Sequence, residues 1–146
     1  MVEATKINYS PQARGGVRRE KVIEAYVELG SIVRVSKALG LAPAKVARIL
    51  RDECGPIYGL KGVCRLYLLM RGRCLLTAVE ARRLLRKTKQ DVYYLFRELA
   101  ERVPAFRATL VALGGAKLLV LYRDAESCRE ELARFAPELG AGGERR

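Results

Sequence analysis

The stretch GSIVRVSKALGLAPAKVARIL, residues 30–50, constrains the fold more than any other part of the chain. Its apolar residues recur at helical spacing, but Gly40-Leu41-Ala42-Pro43 divides them into two runs. Gly30 ends an earlier run, as a glycine just past a last helical turn does. Ser31 then supplies a cap for a short helix with Val35 and Leu39 on one face. Gly40 lets the backbone turn through the left-handed region at little cost, and Leu41 follows as an apolar plug. Ala42-Pro43 opens another helix, since proline is tolerated in a first turn, and Val46, Ile49 and Leu50 form its buried stripe. Upstream, RREKVIEAYVELG sets Val22, Ile23, Tyr26 and Val27 on one face, with Glu24 and Glu28 opposite. The stretch is two short helices folded about a tight turn, with a third helix before them.

This order resembles the helix-turn-helix, closest to its homeodomain-like or Fis-type form, over about residues 17–54. The motif needs a small residue where the two helices touch. Ser36 stands there, where alanine is commonest. Val35, Leu39, Leu41, Val46 and Ile49 fill the apolar contacts, and Gly40 the turn. The resemblance implies that the third helix is a recognition helix, offering Ala44, Lys45, Arg48 and Arg51 to a major groove. Arg48 suits direct readout, because a guanidinium grips a guanine edge with two hydrogen bonds. Lys45 and Arg51 suit phosphates, which position the helix without reading sequence. The alternative is a helix-turn-helix that only packs or dimerises.

The charge points to the same class of partner. With 28 Lys and Arg against 16 Asp and Glu, the net charge is +12, a surplus that favours a polyanion. Residues 1–56 contribute +4, residues 57–123 contribute +10 and the last 23 contribute −2. A polyanion is therefore expected on the middle of the chain.

In that middle, Cys54-Gly55-Pro56 is a break, and IYGLKGVCRLYLLMRGR reads as one helix with Leu60, Val63, Leu66, Tyr67 and Met70 inward, closed by Gly72. Thr77-Ala-Val-Glu80 is a capping box. Its helix turns Ala81, Leu84 and Leu85 inward, and Arg82, Arg83 and Arg86 outward. Thr88 is a further cap, leading a helix that buries Val92, Leu95, Phe96, Leu99 and Val103 before Pro104 stops it. Gly114-Gly115 then marks a hairpin between two apolar strands. Three helices followed by a hairpin resemble a winged helix over about residues 57–123. If Leu85 and Val92 make the paired contacts of its turn, Arg82 falls where a small residue is expected, and Arg86 and Lys87 where a glycine and an apolar plug would be. The resemblance implies a second recognition helix with Lys89, Gln90, Tyr93, Tyr94 and Arg97 toward the groove. Arg82, Arg83, Arg86 and Lys87 would hold phosphates, and Lys117 would sit at the wing tip. One of Tyr93 and Tyr94 is expected to pack partly into the core.

The hairpin strands are apolar on both faces and want two partners. The final helix, DAESCREELARFAPELG over residues 124–139, offers Leu132 and Phe135 as one cover. A second copy of the chain is the other, and paired half-sites favour a homodimer through the hairpin and this helix. Residues 1–16 read as a flexible basic arm, and 140–146 as a disordered tail.

The four cysteines have no zinc-type spacing and there is no His, so no metal site is expected. Buried free thiols are the expectation. One Asn, two Gln and abundant Arg resemble a heat-adapted protein, in which intracellular disulfides persist; a pairing is not assignable. There is no membrane-spanning run and no signal-type apolar core near the N-terminus, so a cytoplasmic, nucleoid-associated protein is expected. Catalysis is not expected: Glu80 is assigned to its cap, and Asp91, Glu98 and Glu101 to ion pairs along one helix. No cofactor motif is present. The fold expected is mainly α with one β-hairpin, built as a tri-helical helix-turn-helix, a winged helix and a C-terminal helix. The function expected is sequence-specific binding of double-stranded DNA in transcription regulation. A non-specific architectural or replication-associated binder and a protein-interaction subunit of a nucleoprotein complex are the alternatives.

Overall fold

The computed structural model describes the backbone of residues 11–140 and the side chains of residues 18–140. The chain is mainly helical, with a small antiparallel sheet. Helix α1 (Pro11–Leu29) begins inside the segment expected as a flexible arm. Residues 1–10 of that arm, and 141–146 of the expected tail, lie outside the described residues.

Helix α2 (Ile32–Leu39) starts at Ser31, whose Oγ accepts from the Arg34 amide at 3.2 Å. It ends at Gly40 with φ 67° and ψ 33°. The amides of Gly40 and Leu41 both donate to the Ser36 carbonyl. The Ser36 hydroxyl in turn donates to the Leu41 carbonyl, a tie across the turn that alanine could not make. Helix α3 (Pro43–Cys54) follows and buries Val46, Ile49 and Leu50.

The single helix expected from Ile57 is shorter. Gly55–Gly59 forms a 3-10 turn and helix α4 spans only Lys61–Leu69. Gly55 has φ 58°, and Pro56 beside it lacks an amide to donate, so the chain is redirected before a helix can start. Strand β1 (Leu75–Thr77) was not anticipated; three residues are too few to show alternation. Helix α5 (Ala78–Leu85) is capped by Thr77, whose Oγ1 accepts from the Glu80 amide at 3.1 Å. The Glu80 carboxylate contacts Arg73 at 3.4 Å, which corrects its assignment to the capping box. Helix α6 (Lys89–Arg102) is capped by Thr88 and buries Val92, Leu95, Phe96 and Leu99.

Strands β2 (Phe106–Leu113) and β3 (Ala116–Arg123) meet at Gly114 and Gly115, with φ 58° and 86°. Two positive φ values make the tight turn whose twist matches paired strands. The hairpin does not stand alone: β1 pairs with β3, Leu76 opposite Leu121, and the sheet order is β1-β3-β2.

A single core runs from Val22 in α1 to Leu121 in β3. The two segments expected to meet at residues 55 and 56 share this core. α4 meets α6 closely at Gly62, where a Cβ would lie 2.9 Å from a Leu95 methyl. The second face of the sheet has a smaller core of its own, in which Val111, Val120 and Tyr122 pack on Leu132, Ala136 and Leu139. The cover is the chain's own C-terminal segment. It is broken by Pro137 into α7 (Arg129–Phe135) and α8 (Pro137–Gly140). This segment covers one face of the hairpin, where a homodimer was also expected, and leaves Leu110 and Leu113 of β2 50% and 37% exposed.

The expectation of free thiols is overturned. Cys54 pairs with Cys64, and Cys74 with Cys128. Folding brings each pair of Cα atoms to 5.6 and 5.5 Å, the separation a disulfide spans. One bridge ties the end of α3 to α4; the other ties the entry to β1 to the C-terminal cover. Among the described residues, no helix is long and apolar enough to cross a membrane, and no three His, Cys, Asp or Glu gather as a metal would need.

Candidate nucleic-acid interface

Both turns that precede an outward helix have the same backbone. After α5, Arg86 adopts φ 57° and ψ 50°, and the amides of Arg86 and Lys87 both donate to the Arg82 carbonyl. That matches Gly40 and Leu41 on Ser36, residue for residue. Arg86 is the one non-glycine residue with positive φ among the described residues. A left-handed conformation costs an L-residue about 1–2 kcal/mol, so the second turn is held by its surroundings and not by its own preference.

On α3, Ala44, Lys45, Arg48 and Arg51 are all exposed. Spacings of three and four residues put Lys45, Arg48 and Arg51 along one outer face, opposite buried Val46 and Ile49. On α6, Lys89, Gln90, Tyr94 and Arg97 are exposed and line one shallow groove with Glu98 and Glu101. Tyr94 is 58% exposed, whereas Tyr93 is half-buried against the core; Tyr93 is the tyrosine that packs inward. Arg82, Arg83, Arg86 and Lys87 are exposed at the end of α5 and in its turn. At the hairpin tip, Lys117 joins Arg82, Lys89 and Tyr93 around a single cleft. The α3 set is not gathered with these: α4 packs on both α3 and α6 and stands between them.

Two of the region's four acids pair with arginines, whereas Asp91 and Glu101, also expected in ion pairs along α6, make none among the described residues, and Glu101 lines the α6 groove. Glu80 pairs with Arg73 at 3.4 Å, and Glu98 with Arg102 at 2.8 Å. The Glu98 hydrogen bond holds the Arg102 pKa above its ordinary value. Among the described residues, Arg48, Arg82, Arg83, Arg86 and Arg97 make no ion pair, so their charge is left for an external anion.

Not all of the surplus is available. Arg65 is buried, and its guanidinium donates to the carbonyls of Val27 at 2.8 Å, Glu28 at 3.1 Å and Leu85 at 3.0 Å. Those carbonyls close α1 and α5, where the helix dipole favours a cation. Burial lowers the Arg65 pKa from its ordinary value; the Tyr26 phenol opposes this and the Arg86 charge adds to it. Gly30 makes room, since a Cβ there would lie 3.0 Å from Arg65 Cζ. Arg123 is half-buried and donates to the Met70 carbonyl at 2.8 Å over the Phe106 ring. Neither role shows in a sequence, because both depend on where distant helix ends meet.

Two residues at the junction of α3 and α4 extend the basic surface. Lys61 Nζ lies 3.8 Å from the Tyr58 ring centre and Arg51 Cζ lies 5.4 Å from it. The ring holds two cations side by side. Gly55-Pro56 was the available signal, since a turn there brings Tyr58 and Lys61 back toward α3. No protein-family model, no curated protein and no solved structure matches the chain.

Proposed function

We propose that the chain binds double-stranded DNA in a sequence-specific manner and acts in transcription regulation, with α3 and α6 as two recognition helices. In this reading α1–α3 is a homeodomain-like helix-turn-helix, and α4 to β3 a winged helix sharing its core. The observation that carries the reading is the repeated turn. Twice the chain makes the same left-handed reversal, and twice a helix follows whose outer face bears cations that pair with no carboxylate among the described residues. A single basic helix would support only attraction to a polyanion; two with matched entry geometry support reading.

The roles divide accordingly. Arg48 on α3 reads a base edge, and Arg83 on the outer side of α5 holds a phosphate. Arg48→Ala should lose about 1–3 kcal/mol on the preferred site and relax discrimination at one base position. Arg83→Ala should weaken all duplexes alike and reduce the slope of log K against log salt by about 1. The starting experiment is selection of bound fragments from sheared genomic DNA, at moderate salt with competitor. Recurring sites are the expected result. Uniform recovery would instead leave a non-specific binder, in which the net charge is the whole interaction.

A further inference from the structure

We propose that the cleft between α5, α6 and the hairpin tip is a binding site for a small organic anion with a compact apolar body. The cleft has a volume of about 310 Å³, at the lower end of the range of small-molecule sites. Its apolar lining is partly open to water: Val79 is 62% exposed and Leu113 is 37% exposed, with Leu118 and the half-buried Tyr93 beside them. Its charged lining is all of one sign. Arg82, Lys89 and Lys117 reach it from three different elements, none of them paired with a carboxylate among the described residues. Lys89 also lies over the Tyr93 ring at 5.5 Å, so cation and aromatic face are presented together. The first turns of α5 and α6 both border the cleft, and the positive end of each helix dipole adds to the field.

These features select the occupant. A neutral apolar molecule would leave three cations facing low-dielectric surface, which raises their desolvation cost. A bare inorganic anion would gain the cations but leave Val79, Leu113 and Leu118 wet. A carboxylate on an aromatic or branched aliphatic body satisfies both. Arg82, Lys89 and Lys117 are also proposed DNA contacts, so a bound carboxylate competes for them with the backbone of a duplex that the rest of the interface holds in place, though not with free inorganic phosphate at equal concentration. That consequence rests on the DNA reading; the site itself does not.

The test titrates the intact protein, without DNA, with 2-naphthoate, its neutral carboxamide and inorganic phosphate, using calorimetry. The expected result is saturable one-to-one binding of the naphthoate, at least tenfold weaker binding of the carboxamide, and no displacement by phosphate at equal concentration. Equal binding of the carboxamide, or displacement by phosphate, overturns the proposal. Val79→Glu places a carboxylate at the mouth of the cleft, in a first helical turn where an acid is favourable. Its unliganded melting temperature should not fall while naphthoate binding falls at least tenfold; undiminished binding would put the ligand elsewhere and sink the assignment. A second arm adds naphthoate to the protein on its selected duplex. Release is expected, and unchanged duplex affinity with naphthoate bound would overturn the competition alone.

Discussion

The two turns of this protein share a backbone and almost no chemistry, and the difference separates what a fold requires from what a surface is used for. In the first, each residue favours the conformation it holds. Ser36 ties the turn through its hydroxyl, Gly40 takes φ 67° without strain, and Leu41 is half-buried as a plug. In the second, the same positions carry Arg82, Arg86 and Lys87, all exposed, with Arg86 held at φ 57°. Local preference accounts for the first turn. The second needs the packing of α6 against α4 and of both α5 and α6 against the sheet. Where a chain breaks a local rule in an otherwise consistent fold, a function at that place is the natural hypothesis.

If the second half depends on its surroundings, removing external supports should harm it most. The largest effect is expected from the Cys74–Cys128 bridge, which spans 54 residues and fastens the cover over the sheet, against 10 residues for Cys54–Cys64. Loop-closure entropy gives about 4 kcal/mol for the longer loop and about 3 kcal/mol for the shorter. Urea unfolding of the paired Ser variants of each bridge measures both. Equal losses, or a larger one for the short loop, would mean that the cover holds without its bridge and that the second half is more self-sufficient than its turn suggests.

Next in size is Arg65, the only side chain joining the end of the first half's long helix to the end of α5 among the described hydrogen bonds. Arg65→Leu fills much of the volume but leaves the carbonyls of Val27, Glu28 and Leu85 without their donor. A loss of about 3 kcal/mol follows from three charge-assisted bonds partly replaced by apolar contact. Thermal unfolding should remain a single transition at lower temperature, because the core is continuous from Val22 to Leu121. Two separated transitions would show that Arg65, and not the shared core, couples the halves.

The sequence is legible where one residue decides one conformation. Ser31, Thr77 and Thr88 cap the helices expected of them, Gly40 turns where it should, and Gly114-Gly115 closes the hairpin at the expected pair. It is illegible where the decision lies between distant partners. Leu75–Thr77 becomes a strand only because β3 has an edge to pair. Arg65 is indistinguishable by type from the exposed arginines, and its burial follows from two helix ends converging on it. The cysteine pairs need the fold before they can be drawn. The outward placement of the candidate DNA contacts was legible from helical spacing, because burial on one face forces exposure on the other. Tyr58 and Lys61 were missed because one continuous helix was expected from Ile57, where the chain instead forms a 3-10 turn before α4.

The smallest effect is the sharpest test of the comparison, because stability and binding should move in opposite directions. Arg86→Gly relieves a left-handed L-residue at about 1–2 kcal/mol, less the unfolded-state entropy a glycine adds. A net gain of about 0.5–1 kcal/mol is expected in urea unfolding. The same change removes one proposed phosphate contact, so the slope of log K against log salt should fall by about 1. Gly40→Arg is the reciprocal. No atom lies within 4 Å of the added Cβ, so the strain is torsional alone, and the loss should mirror the gain at Arg86. An arginine that costs stability in the turn and contributes nothing to duplex affinity would leave its left-handed conformation without a purpose. If the slope stays unchanged on Arg86→Gly, the second turn resembles the first in geometry only, and Arg86 is no phosphate contact.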